Sequence, residues 1–576
     1  MFNREDSNSL ELRLLSALFI LIAIAIIGKL FYLQVNQHDY YKTLAMSTHE
    51  IYQKIHPKRG QIYFQDSRTK ETFPIAINRW FYQIFAVPKE MDKNEINSTT
   101  EKVAEILELD EIKKEIVREK LNKANDPFES LARKVPEEVV KKIEKVDLGG
   151  IYKSAEVYRY YPENNLGSSI LGFCNMDNDG NMQGNYGIEG YWNSILSGKG
   201  GYLFAERGAK GSWITLADMT TIEAKNGDDL ILTIDRALQY KACDLLKKGA
   251  EEHKAQSAAL VMMNPQTGAI LAMCSYPDFD PNNYGKIEDI AIFNNQAIFT
   301  PYEPGSVFKP VIMGAALDME LITPDTWFND PCEMKYGPYI IRNALKKCYG
   351  SITMTNVLEN SVNTGMMWVA EKIGWEKFTE YVRKFGFGQK LGVELDKEVD
   401  GNLKNLEKKS QIGPAQASFG QGITVTPLQL ATAYSVIANG GKLIQPRIVD
   451  EIKRSDGKIE KVEPKIIEQV ISSRASRLLT AMLTSVTEKT YTNTVRLDRY
   501  FIAGKTGTAQ IPGPSGYSST DTNHTFCGFL PVKEPKVVIV VKYEKPQRLW
   551  AEGTAAITFR ELAKFTMDYY GVEEDR

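Results

Sequence analysis

The chain has 576 residues, more than one hydrophobic core usually organises, so at least two domains are expected. Hydrophobic residues make up 43% and charged residues 25%, which excludes a disordered chain. A formal net charge of -3 excludes the basic excess of a nucleic-acid binder, and no nucleic-acid partner is expected.

The first predicted element is the apolar run "LLSALFILIAIAIIGKLFYLQV", Leu14 to Val35, whose one charge is Lys29. As a helix it is roughly 33 Å long, enough to cross a bilayer, with Lys29 reaching back to the headgroups. A cleaved signal peptide would also begin with such a run. Bulky Leu30, Phe31, Tyr32 and Leu33 follow where a small-residue cleavage site belongs, which favours a retained anchor behind a tail of residues 1–13. Arg4 and Arg13 precede the run while Lys42, Lys54, Lys58 and Arg59 follow it. That count does not favour a cytoplasmic N-terminus, so orientation has to come from the chemistry of the rest.

"HPKRGQIYF" comes next, and the pattern turns charged and helical from Lys89 to Val146. Segments rich in Gly and Tyr follow, "YRYYPENNLGSSILGF" and "NYGIEGYWNSILSGKGGY". A boundary is expected at "EAKNGDDLILTIDRALQ", dividing residues 36–226 from 227–576: Asn226-Gly227 gives a turn, "LILTI" a strand and Asp235 a helix N-cap. "AALVMMNPQTGAILAMCSYP" reads as a hairpin. Helical stretches follow, and strand-like runs return in "RYFIAGKTGTAQ", "HTFCGFLPV" and "KVVIVVKYE" before a terminal helix, "TAAITFRELAKFTMDYYGV". The second domain is therefore expected to be α+β, with a sheet built from strands at both of its ends and helices packed on it.

Six cysteines make no CxxC pair and no zinc spacing, and neither a metal nor a cofactor is expected. Cys332 and Cys348 bracket one loop-like stretch and either pair or stay as two thiols; both readings stand at this point.

The chemistry is sought first among the histidines. His38, His49 and His56 lie beside the apolar run, and nothing around His253 or His524 suggests a serine triad. There is no G-x-S-x-G elbow and no H-E-x-x-H. The "GKT" at 504–506 lacks the glycine of a P-loop, since position 499 is Arg. Lysine is the remaining base. In "EPGSVFKP", Ser306 and Lys309 stand one helical turn apart if a helix starts at the serine. A lysine acts as base only when burial or a second cation lowers its pKa. Lys505 in "FIAGKTGTAQ" offers that cation, on a strand whose small residues let a ligand lie along it. "ENSVNTG" supplies Ser361 and Asn363 between them.

S-x-x-K, S-x-N and K-T-G are each weak alone and specific in this order. With them, "PKRGQIY", "GIEGYWNSILSGKGG", "NPQTGAILAMCSYPDFDPN" and "SFGQGITVTPLQLATAYSVIANGG" make the chain resemble a class B penicillin-binding protein, from residue 14 onward. Val362 stands where some relatives carry Asp, and Ile557 where proline is common. The resemblance implies a membrane anchor at 14–35, an elongated pedestal or dimerisation domain at 36–226, and at 227–576 a transpeptidase domain with an antiparallel sheet, similar to serine β-lactamases. It implies a D,D-transpeptidase that cross-links peptidoglycan stem peptides and is acylated by β-lactams. Ser306 would be the nucleophile, Lys309 the base, Ser361 a proton relay and Asn363 a substrate holder. Lys505, Thr506, Gly507 and Thr508 would receive the substrate, its carboxylate facing Lys505. The catalytic domain would be extracytoplasmic, on a single pass through the inner membrane, beside a multi-span glycosyltransferase and proteins of division or elongation. The division type is the more expected. A β-lactamase would need an E-x-x-L-N segment, and no Leu-Asn pair follows Asn363. A penicillin sensor would have several spans where this chain has one apolar run, and a non-catalytic wall-binding scaffold would have no need of the three motifs together.

Overall fold

In the computed structural model, residues 21–23, 26–31, 50–177, 180–206, 220–336, 339–408, 412–491, 494–513 and 516–576 are described. The expected anchor at 14–35 lies mostly outside them; stretches 21–23 and 26–31 are helical, with Leu21, Ile22, Ile26, Ile27, Leu30 and Phe31 exposed. Among the described residues no helix is long and apolar enough to cross a membrane.

The chain forms two compact units, one of residues 1–58 and 198–226 and one of 59–197 and 227–576. The smaller carries an antiparallel sheet of Glu50–Ile55, Gly201–Glu206 and Thr220–Ile222. The larger contains two big sheets. One has seven strands and joins early to late chain: Ile62–Gln65 runs parallel to Asp229–Asp235, which pairs on its other edge with Val449–Lys453. This sheet bridges the position between residues 226 and 227 where the sequence suggests a boundary.

The second sheet positions the site. Its order is β2-β1-β5-β4-β3, all antiparallel, with β1 Ser257–Met263, β2 Ile270–Tyr276, β3 Ala503–Gly513, β4 Gly516–Leu530 and β5 Val537–Glu544. Strands from both ends of the domain meet, as the run order suggests. Apolar "VVIVV" in β5 is buried throughout because helices cover both faces. Alternation along β5 shows the two sides. The Tyr543 hydroxyl lies 2.8 Å from that of Thr558 on α6 (Ala555–Tyr570), which packs with α1 (Arg236–Glu252), and Lys542 projects over the ring of Tyr302 on the opposite face. Asp235 caps α1 through Ala237 N and Leu238 N. Cys243 of α1 is bonded to Cys274 of β2, a bridge that no sequence spacing announced.

On that opposite face lie α2 (Lys309–Asp318), α3 (Asn363–Ile373), α4 (Pro427–Ala438) and α5 (Ser473–Lys489). Residues 309–317 of α2 are all buried, so this helix is covered on every side and forms the centre of the domain rather than a covering layer. Terminal helix α6 starts at Ala555 although Ile557 replaces the proline common at its start.

Candidate active site

Ser306 sits in a 3-10 turn, Gly305–Phe308, that runs directly into α2, so Lys309 opens the α-helix and the serine precedes it. The turn is wedged between two close backbone approaches. At Gly420, φ +80°, a Cβ would lie 2.1 Å from Gly305 O, and Gly305 N donates to Gly420 O at 3.0 Å. At Gly507 of β3 a Cβ would lie 2.8 Å from Pro304 O. The glycine of the K-T-G motif therefore lets the strand lie against the turn that carries Ser306.

Lys309 has no solvent exposure. Its Nζ lies 2.6 Å from Ser361 O, 3.1 Å from Ser361 Oγ and 2.8 Å from Asn363 Oδ1. Burial, reinforced by the charge of Lys505, pushes its pKa well below the ordinary lysine value. All three of these partners are oxygen acceptors, so Nζ donates towards them. Ser361 adopts φ +53° between helix Met354–Glu359 and α3, and this turn aims its carbonyl and hydroxyl at the same nitrogen.

Asn363 begins α3 and is braced from outside. Asn343 Oδ1 accepts from Asn363 N at 2.9 Å and Thr364 N at 3.1 Å, and Asn343 Nδ2 donates to Asp330 Oδ2 at 3.0 Å. Asp330 also accepts from the Thr364 hydroxyl at 2.7 Å. The Cys332–Cys348 pairing, left open by the sequence, is a disulfide that closes this loop.

On β3, Lys505 is buried and donates to the Tyr491 hydroxyl at 3.0 Å. Ser306, Ser361, Asn363, Thr506 and Thr508 line one cavity of about 240 Å3. All eight residues singled out from the sequence thus meet around one cleft or directly behind it. A larger cavity of about 650 Å3 lies against Asn264, Arg447 and Pro531 and contains none of them. His524 faces neither: its ring nitrogens bond Thr522 and Thr554 at 3.0 and 2.9 Å.

Two families match the chain, the penicillin binding protein transpeptidase domain over residues 258–564 and the penicillin-binding protein dimerisation domain over 54–232. The chain belongs to the class B penicillin-binding proteins. Among its relatives, Stage V sporulation protein D of Bacillus subtilis is 30% identical over 92% of this chain and 80% of the relative. A probable peptidoglycan D,D-transpeptidase of Pseudomonas aeruginosa, PbpC, is 29% identical over 95% and 93%. A peptidoglycan synthetase from Bifidobacterium adolescentis superposes with a TM-score of 0.70 at 26% identity, covering 92% of this chain and 98% of that one.

This penicillin-binding protein also brings to the cleft residues that the sequence did not single out. Tyr491, Trp550 and Glu552 line the cavity, and Thr506 Oγ1 donates to Glu552 Oε1 at 3.1 Å. Their local sequences, "KTYTNT" and "LWAEGT", carry no spacing that ties them to the motifs. Glu303, just ahead of Ser306, is buried and accepts from Gly422 N and the Tyr517 hydroxyl at 3.0 and 3.2 Å, tying the Ser306 loop to the tip of β4.

Proposed function

We propose that this penicillin-binding protein is a peptidoglycan D,D-transpeptidase acting through an acyl-enzyme on Ser306. The observation that carries the reading is Lys309: a buried amine with depressed pKa, hydrogen-bonded to Ser361 and Asn363 behind the cavity that holds the serine. In this reading Ser306 Oγ attacks the penultimate D-alanine carbonyl of a stem peptide while Lys309 takes its proton. The backbone N–H groups of Ser306 and Thr508 stabilise the oxyanion, each donor worth about 3–4 kcal/mol. Collapse breaks the C–N bond, Ser361 passes a proton to the leaving terminal D-alanine, and an amine of a neighbouring stem peptide attacks the ester to form the cross-link. Ser306 then regains its proton. Lys505, Thr506, Gly507 and Thr508 receive the donor peptide and its carboxylate. A β-lactam acylates the same serine and blocks it.

The placement in the cell follows from this substrate. Residues 14–35 form one membrane pass from a cytoplasmic tail of residues 1–13, and the rest is extracytoplasmic, with a pedestal at 36–226 and a transpeptidase domain at 227–576. Two disulfides suit that oxidising compartment. The expected partner is a multi-span glycosyltransferase, and the "EPGS" and "GKTGTAQ" contexts favour a role in division over elongation.

The test is labelling with a fluorescent penicillin. Wild-type protein should hold a stable adduct on the peptide containing Ser306. Ser306→Ala should hold none, and Lys309→Ala should react at least about 100-fold more slowly, the scale of a lost general base. Turnover of the drug without adduct would reassign the protein as a β-lactamase, and no reaction by folded protein would make it a scaffold.

A further inference from the structure

Glu552 lies on the short 3-10 turn Ala551–Gly553 between β5 and α6. Its Oε1 accepts the hydrogen bond of the Thr506 hydroxyl at 3.1 Å. That hydroxyl is 2.7 Å from the Tyr491 hydroxyl, to which Lys505 Nζ donates at 3.0 Å. With Lys505 as donor at one end and a carboxylate as acceptor at the other, each hydroxyl between them has a single orientation: Lys505 to Tyr491 to Thr506 to Glu552. The same turn holds the second hydroxyl of the motif, since Ala551 N donates to Thr508 Oγ1 at 3.1 Å. Glu552 Oε2 is buried with no hydrogen-bond partner among the described residues.

We propose that Glu552 is an internal occupant of the carboxylate subsite and sets this protein's selectivity toward anionic ligands. The inference rests on the transpeptidase reading, in which Thr506 and Thr508 receive the donor's carboxylate. In the free protein a carboxylate of its own holds the Thr506 hydroxyl, and the turn that carries it holds Thr508. A ligand carboxylate entering beside Glu552 meets like charge in a partly buried cleft, and binding requires the Ala551–Gly553 turn to withdraw. Withdrawal brings Oε2, buried in the closed turn, out to solvent. Tyr491 is a positioning residue here, since it acts on Thr506 and not on the ligand.

The experiment compares benzylpenicillin with its uncharged methyl ester and reads second-order acylation of Ser306 by intact-protein mass spectrometry. The ratio of the two rates is measured in the wild type and in Glu552→Gln, which retains the acceptor for Thr506 and removes the charge. The carboxylate-to-ester ratio should rise on the order of tenfold in Glu552→Gln, the scale of one partly screened like-charge contact. A ratio that stays the same or falls overturns the proposal. A crystal structure of the wild-type benzylpenicillin adduct tests it without any variant. Thr506 bonded to the drug's carboxylate with Glu552 withdrawn is expected, and Glu552 still bonded to Thr506 overturns it. Failure of folded wild type to form an adduct with either compound defeats the transpeptidase reading itself, and this inference with it.

Discussion

A lysine with no solvent exposure must find anions or give up its proton, and the partners of Lys309 are a carbonyl, a hydroxyl and an amide oxygen, all neutral. Its depressed pKa has a consequence for stability. The folded state favours the neutral amine, so protonation in the unfolded chain costs folding free energy as pH falls below the free lysine range near ~10.4. Replacing Lys309 with Met removes that cost. The melting temperature of Lys309→Met should therefore exceed wild type by more at pH 7 than at pH 9.5, while acylation is lost; an equal difference at both pH values would show that the lysine is charged in the fold. Ser306, Lys309 and Lys505 were legible from sequence because a helical turn and a strand edge fix their geometry locally. Tyr491 and Glu552 were not, because each reaches Thr506 from a separate segment, 15 and 46 residues away, whose position is set by tertiary packing.

At the scale of the element, the stretch from Asp330 to Tyr349 works as a brace. Asp330 gathers Cys332 N, Tyr349 N, Asn343 and the Thr364 hydroxyl, and through Asn343 it holds the first turn of α3, from which Asn363 reaches Lys309. Asp330→Ala should remove the carboxylate that Asn343 and the Thr364 hydroxyl share, leaving Asn343 only Lys347 O and Thr364 only Asn343 Oδ1. Acylation of Ser306 should slow about 10-fold or more, as expected when a supporting group is displaced from a preorganised site, while circular dichroism remains that of the wild type. An unchanged acylation rate would mean that α3 holds Asn363 without the brace. The pairing of Cys332 with Cys348 could be entertained from spacing, whereas Cys243–Cys274 could not. That second bridge depends on α1 lying across β2, a packing relation with no signal in the residues between.

Across the larger unit, one buried ion cluster joins segments distant in sequence. Glu189 has no exposure and bonds Arg59 at 2.5 Å and Arg159 at 2.6 Å. Burial alone would raise its pKa, but the two guanidinium groups outweigh that and hold it at about 2. Its contribution to stability is present above the ordinary glutamate range and is lost as pH falls from about 4.5 toward about 2. Glu189→Gln leaves two buried cations without their anion and should destabilise the unit by roughly 3–5 kcal/mol in urea unfolding at pH 7. It should also flatten the acid limb of the stability profile. A loss below about 1 kcal/mol, the scale of an exposed pair, would show that the cluster is solvated.

The sequence by itself determined the fold class of the second domain, the two-ended origin of its main sheet, and the eight residues that meet around the cleft, because period, turn chemistry and motif order are local properties. Only the tertiary structure decided that the early strand Ile62–Gln65 lies beside Asp229–Asp235 in a seven-stranded sheet, and that three charged residues from separate segments close on one another. It alone decided that the Glu552 carboxylate accepts from the Thr506 hydroxyl. Such contacts join residues tens to hundreds of positions apart, and their energy depends on burial and mutual distance, quantities that exist only once the chain has folded.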